Sequence, residues 1–226
     1  MLSEDVELLA AWRDSYLAAL PDAVREEMLD GAFPVRVPAG QPIYAANDPP
    51  RMALIRSGLA RVFAVSRDGR QATIRYARHG QVVGLPAAIS GGSPVGAEAV
   101  IDSEVSMLNV KVVQRLARSD PRVAWLFAQQ VAAITYETID VLGGSLFGTV
   151  RQSVCRHLLD LAVTDGSRLV VAVDVQELAD AVGTVREVVS RSIRQLREEG
   201  LIARDGHRLV IVDPERLHLA GLGRPG

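Results

Sequence analysis

From about residue 5 to residue 30, apolar side chains recur three and four positions apart: Leu8, Leu9, Trp12, Tyr16, Leu20, Val24 and Met28. An amphipathic helix requires that period, and Pro21, with no backbone N–H to give, divides the stretch into two short helices. Between Phe33 and Val110 the pattern changes to short β-branched and aromatic runs at residues 52–56, 59–65, 71–76, 97–101 and 105–110, punctuated by Gly, Pro, Asn and Asp. Such runs predict an all-β barrel or jelly roll. Asp68-Gly69 reads as a hairpin turn inside it, because glycine accepts the positive φ that tight turns need.

Helical periodicity returns at Ser119-Asp120-Pro121, a polar cap followed by proline at the first helical position, and runs to about Leu146 without a stop signal. About 25 residues would span ~37 Å. Two apolar stripes follow the helix: Phe127, Val131, Ile134, Thr138, Val141 and Ser145, and beside them Ala128, Ala132, Thr135, Ile139, Leu142 and Leu146. One stripe can cover the chain's own barrel while the other meets the same helix of a second subunit in a parallel coiled coil. Burial of both inside one larger core is the alternative. Phe127, Val131, Ile134, Thr138 and Val141 are assigned to the subunit seam. Gly143, Gly144 and Gly148 then cluster at the helix end and predict a hinge, after which an amphipathic helix over 150–163 opens a further domain.

The densest signal lies beyond it. Asp174-Val175-Gln176-Glu177 has capping-box spacing and begins a short helix with Leu178, Ala179 and Val182 inward; Gly183 ends it. Thr184-Val185-Arg186-Glu187 has the same spacing and opens a second helix that ends near Gly200. Two capped helices separated by one glycine form a helix-turn-helix, in which small Ala179 permits close approach and Val189 fills the gap. Val185, Val189, Ile193 and Leu196 form the expected buried stripe, leaving Glu187, Ser190, Arg191 and Arg194 on an outer face. Arg204-Asp205-Gly206-His207 lies between two apolar runs and predicts a hairpin wing.

Composition narrows the classes. At 226 residues, with 48% hydrophobic and 23% charged residues, the chain suits two folded domains and a connector. An acidic N-terminus and the lack of a membrane-length apolar run predict neither signal peptide nor anchor, hence a cytoplasmic location with no membrane partner. A single cysteine, Cys155, excludes clustered-thiolate metal sites, including an iron–sulfur cluster, and no metal site is expected. No Ser-His-Asp set, HExxH or Walker sequence appears, so the chain is expected not to be an enzyme. The net charge of −2 does not advertise nucleic acid, but between Thr184 and Arg197 four arginines stand against one acid, Glu187. Arginine can pair with guanine, glutamate can accept from cytosine, and the wing can touch phosphates.

These motifs resemble the Crp/Fnr family, that of the bacterial cyclic-AMP receptor protein and FNR. The resemblance is carried by Glu177-Leu178-Ala179, Gly183, Arg186-Glu187-Val188-Val189-Ser190-Arg191 and Leu196 to Gly200-Leu201-Ile202, with Gly58, Gly69, Gly84, Glu98 and the Glu104–Val110 stretch in the barrel. It implies an α+β fold: an N-terminal β-barrel (double-stranded β-helix or jelly roll, cyclic-nucleotide-binding-like) with N-terminal helices over 1–118, a central dimerisation helix and hinge over 119–147, and a winged helix-turn-helix over 148–226. By motif, Arg186, Glu187 and Arg191 fall on the base-reading positions of cyclic-AMP receptor type proteins, and Glu187, Ser190 and Arg191 on those of FNR type proteins. Gln176, Thr184, Arg194 and His207 complete the expected DNA-facing set. A homodimer on a palindromic double-stranded site with TGA-like half-sites follows, with RNA polymerase and a small-molecule effector as further expected partners. An effector-binding or protein-interaction module whose helix-turn-helix does not bind DNA is the alternative.

The family's nucleotide cassette departs from its pattern here. It reads Val83-Gly84-Leu85-Pro86-Ala87 and Ser93-Pro94-Val95-Gly96-Ala97, with leucine in place of the acid and no arginine between Gly80 and Lys111. Loss of a bidentate phosphate partner argues against cyclic AMP. The effector, if there is one, is unidentified, and its expected contacts are Gly84, Leu85, Ser93, Val95 and Thr138. Thr138 fits the subunit seam equally. Gly91-Gly92-Ser93-Pro94 reads as a plain loop or an anion cradle, and His79 as a loop residue rather than a haem ligand.

Overall fold

The computed structural model describes residues 2–65, 71–92, 94–166 and 168–223. The chain divides into two compact units, Met1–Tyr136 and Glu137–Gly226. The expected Asp68-Gly69 turn and Ser93 lie outside the described residues.

The first unit begins with α1 (Leu2–Arg13), a 3-10 turn (Tyr16–Ala19) and α2 (Asp22–Leu29). Ser15 Oγ accepts the Leu17 N–H at 3.1 Å and starts the turn, and Pro21 stands at the N-cap of α2, where its missing N–H costs nothing. Among the described residues eight antiparallel strands follow in two sheets: β1 (Phe33–Val37), β2 (Pro42–Tyr44), β3 (Met52–Ser57), β4 (Leu59–Val65), β5 (Gln71–Arg78), β6 (Val82–Val83), β7 (Val95–Ala99) and β8 (Ser103–Leu108). Their orders are β1-β8-β3-β6 and β2-β7-β4-β5. The five expected runs are there as β3, β4, β5, β7 and β8, whereas β1, β2 and the two-residue β6 went unpredicted. Strand β3 shows how the unit is layered. Ala53 and Ile55 join Val62, Ala97, Val105 and Met107 between the sheets, while Met52 and Leu54 join Trp12, Leu17, Val24 and Met28 under the helices. Burial on both faces makes β3 a continuous apolar run rather than an alternating one.

Helix α3 (Leu85–Ser90) follows Gly84, and α4 (Val110–Ser119) is capped by Asn109, whose side chain accepts from the Lys111 N–H. Helix α5 (Pro121–Phe147) starts as the sequence implied, at Pro121 with Asp120 accepting from the Arg122 backbone at 2.9 Å. One expectation for α5 needs correction. Phe127, 2% exposed, packs with Val123 among Trp12, Leu116 and Met28, so this position belongs to the chain's own core and not to a subunit seam, and half-buried Val131 lies at the edge of the same cluster. As the unbroken periodicity implied, the helix runs on through Gly143-Gly144 and ends at Phe147.

The second unit contains α6 (Val150–Asp160), opened by a reciprocal Thr149–Gln152 capping box. After it come β9 (Val163–Asp165), β10 (Arg168–Val171), α7 (Val175–Val182), α8 (Arg186–Glu198), β11 (Ile202–Asp205), β12 (Arg208–Ile211) and α9 (Pro214–Gly221). Residue Val163, expected in the helix, instead starts a strand, because the β9–β10 hairpin extends the wing to a four-stranded sheet in the order β11-β12-β10-β9. Val154, Cys155, Leu158, Leu178, Val189, Leu196 and Leu217 are buried in this unit.

Candidate nucleic-acid interface

Helix α7 starts behind Asp174, whose carboxylate accepts the Gln176 N–H at 2.6 Å. Gly183 ends the helix at φ 74, and the Thr184 N–H reaches back to the Ala179 carbonyl at 3.0 Å, a Schellman-type closure that needs the left-handed residue between them. The chain then turns directly into α8. Its N-cap is Val185 in extended conformation with no side-chain cap bond, so Thr184 does not head a capping box. Val185 also leaves the predicted buried stripe: it is 58% exposed, and Ser192, donating to the Val188 carbonyl at 3.1 Å, is buried in its stead. Leu178, Ala179, Val189, Ile193 and Leu196 are buried as expected and fix the pairing of the two helices.

That pairing turns the opposite face of α8 to solvent. Arg186, Glu187, Arg191 and Arg194 are exposed and Ser190 half-buried along it. Among the described residues Arg186, Arg191 and Arg194 form no ion pair, unlike Arg151, which is held by Glu199 at 2.5 Å. Gln176 is exposed at the start of α7 and Thr184 half-buried in the turn. The wing strands pair to Asp205↔Arg208, leaving Gly206-His207 as a two-residue turn with Gly206 at φ 60, which suits type II′. His207 is exposed at its tip, and Arg168–Asp205 (3.1 Å) and Arg208–Asp165 (3.2 Å) pairs tie the sheet together. Sequence reasoning missed Val185: an exposed apolar side chain at the front of α8 is suited to a thymine methyl, and its position next to the turn was the available signal.

In the barrel, Gly84 sits at φ 88 where a Cβ would strike the Arg51 carbonyl, so no side chain fits there. Leu85, expected near an effector, is instead buried with Met52, Leu54 and Trp12 on the helix-covered side, not between the sheets. Val95 is half-buried on β7, and Thr138 is half-buried on α5. Ile134 is likewise half-buried, and the Val141 side chain lies outside the described set. The exposed stripe of α5 is Trp125, Ala128, Ala132, Thr135, Ile139 and Leu142, with Trp125 68% and Ile139 54% exposed. Both ring nitrogens of His79 are engaged, by the Arg56 carbonyl at 2.6 Å and the Asp14 carboxylate at 3.0 Å, which clasps α1 to β3. No cluster of three His, Cys, Asp or Glu suited to a metal occurs among the described residues. Nor does any described helix have the length and apolarity to cross a membrane.

Comparison with known proteins agrees with this arrangement. Residues 34–120 match the cyclic nucleotide-binding domain and residues 147–219 the Crp-like helix-turn-helix domain. The transcriptional regulator LdrP of Thermus thermophilus is 32% identical over 164 residues, 70% of this chain and 81% of LdrP. The cAMP-activated global transcriptional regulator Vfr of Pseudomonas aeruginosa is 27% identical over 179 residues, 75% of this chain and 84% of Vfr. The solved structure of FixK2 from Bradyrhizobium japonicum superposes with a TM-score of 0.53 at 26% identity, covering 83% of this chain and 96% of that one. With a cyclic-nucleotide-binding domain followed by a helix-turn-helix whose basic face is open, the chain belongs to the Crp/Fnr family of transcription regulators.

Proposed function

We propose that this regulator acts as a homodimer that reads a palindromic site, one half-site per α8, with a TGA-like core. The observation that carries the reading is the face of α8: Arg186, Arg191 and Arg194 stand in solvent with no carboxylate partner among the described residues, above a helix locked by Val189, Ile193 and Leu196. Unpaired guanidinium groups on a rigid helix are set for guanine edges and phosphates, and Glu187 among them for cytosine. Val185, Gln176, Thr184 and His207 add contacts at the helix front, the turn and the wing. The subunit seam is the α5 stripe of Trp125, Ala128, Ala132, Thr135, Ile139 and Leu142, whose alternating spacing of three and four is that of a coiled coil. Two α8 helices held this way would meet half-sites ~34 Å apart.

The first unit senses a signal other than cyclic AMP, or the regulator acts without one. Leu85 supports this, since the position that holds an acid in nucleotide-binding relatives is here part of the apolar core. The test is fluorescence anisotropy of the full chain against a palindromic TGA-core duplex and a scrambled duplex, with and without cyclic AMP, at two salt concentrations. Specific, salt-dependent binding without nucleotide is expected. Equal affinity for both duplexes would refute sequence reading, salt-independent retention would favour a protein-interaction role, and binding only with cyclic AMP would refute the reading of Leu85.

A further inference from the structure

Two local rules fail together at the start of α8. N-caps are best filled by Asn, Asp, Ser or Thr, whose side chains accept an otherwise orphaned N–H, and valine is among the poorest residues there. Val185 nonetheless holds the N-cap, in extended conformation (φ −95, ψ 152) and with no side-chain cap bond. A hydroxyl stands one residue away, but the Thr184 N–H is committed to the Ala179 carbonyl at 3.0 Å, which draws Thr184 into the closure of α7. Nor does burial account for the valine. It is 58% exposed, and among the described residues from Val175 to Glu199 it is the one large apolar side chain left in solvent. Capping and burial both oppose this residue, so its reason lies outside the fold, as is usual where local rules break at a functional surface.

Its place is fixed all the same. The Val185 carbonyl accepts the N–H groups of Val188 at 3.1 Å and Val189 at 3.4 Å, and Val189 is buried in the packing of the second unit. The isopropyl group is therefore held at the front of α8, directly before exposed Arg186 and Glu187. In a helix-turn-helix the N-terminal residues of the second helix contact base edges in the major groove. Of the four bases only thymine shows an apolar group there, its C5-methyl, and apolar side chains are its partners. The arginines and Glu187 answer donors and acceptors; none of them answers a methyl.

Resting on the reading of α8 as the helix that meets a half-site, we infer that Val185 is a specificity-determining residue. Its isopropyl group packs on the C5-methyl of one thymine in each half-site, beside the bases met by Arg186, Glu187 and Arg191. The helix forgoes a side-chain cap to present it.

The test is fluorescence anisotropy of the full chain on palindromic TGA-core duplexes in which each base pair flanking the core carries thymine in turn, on either strand. Each of these thymines, and each thymine of the core, is then replaced by deoxyuridine in both half-sites, which removes one methyl group per half-site. Burying a methyl against valine twice is worth about tenfold in affinity, so one position should favour thymine over deoxyuridine by about that factor. The preference should shrink in Val185→Ala and vanish in Val185→Ser. Serine can also cap the helix, so the melting midpoint of the second unit should be held or raised in Val185→Ser. No position with a preference above about twofold, or a preference that survives both substitutions, overturns the inference. A midpoint lowered by more than about 2 °C in Val185→Ser overturns it too, by assigning the valine to packing. Specific binding without any methyl preference refutes the role of Val185 alone, whereas equal affinity for palindromic and scrambled duplexes refutes the reading of α8 itself.

Discussion

Replacing Phe127 by alanine separates two roles that the sequence left entangled. Phe127 is 2% exposed and packs with Val123, Trp12 and Met28, so truncation opens a cavity in the core of the first unit. Truncations of this kind cost about 3–5 kcal/mol. For a unit of this size the melting midpoint falls by roughly 3 °C per kcal/mol, which puts the expected drop near 10 °C or more. Trp12 lies in the same cluster and Trp125 is exposed, so tryptophan fluorescence during heating reads the affected region directly. Sedimentation velocity on the same samples should show an unchanged subunit count. The reverse is expected of Ile139→Asp with Leu142→Asp, which places charge on the exposed stripe and should yield monomers with the midpoint of the first unit retained. If Phe127→Ala released monomers and shifted the midpoint by less than about 2 °C, the packing argument would be wrong.

Other expectations are more local. Arg191→Ala should weaken binding to the palindromic duplex by about 1–3 kcal/mol and relax discrimination at one base pair while leaving the melting curve unchanged; an intact specificity profile would remove Arg191 from base reading. Asp120 is held down from 3.8 to about 2 by hydrogen bonds from Arg122, so its contribution is complete above 3.8 and fades as the pH falls towards 2. The stability difference between the chain and Asp120→Asn should therefore close over that interval, and a constant difference would contradict the assignment. Burial raises the Cys155 thiol to about 11, so alkylation by iodoacetamide at pH 8 should be slow until the second unit unfolds; rapid labelling of the folded chain would refute it.

Much of the DNA-facing helix pair was legible because its signals are local. Gly183 and Gly200 mark the ends of α7 and the α8 segment, and the spacing of Val189, Ile193 and Leu196 orients α8 without reference to distant residues. The start of α8 was misread for an equally local reason. The Schellman-type bond from Thr184 to Ala179 draws Thr184 into the end of α7, and the next helix begins one residue later, with Val185 outside it. Strands β1 and β2 carry proline at their starts or within them, and β6 has two residues, too few for any alternation to show. They exist because β8, β7 and β3 offer unpaired edges.

By itself, then, the sequence determined the succession of N-terminal helices, strand-rich segment, long helix and helix-turn-helix, and the basic face of the last, since each depends on spacing within one turn or one strand. It also showed that α5 has two apolar stripes. Only the tertiary structure decided which stripe is covered by the chain's own barrel, because both have the same period and similar apolarity, and packing against Trp12 and Met28 is a contact across about a hundred residues of sequence. The same holds for Leu85. Whether a leucine joins the outer core or enters the space between the sheets is set by strand register, and register joins residues that no local pattern relates.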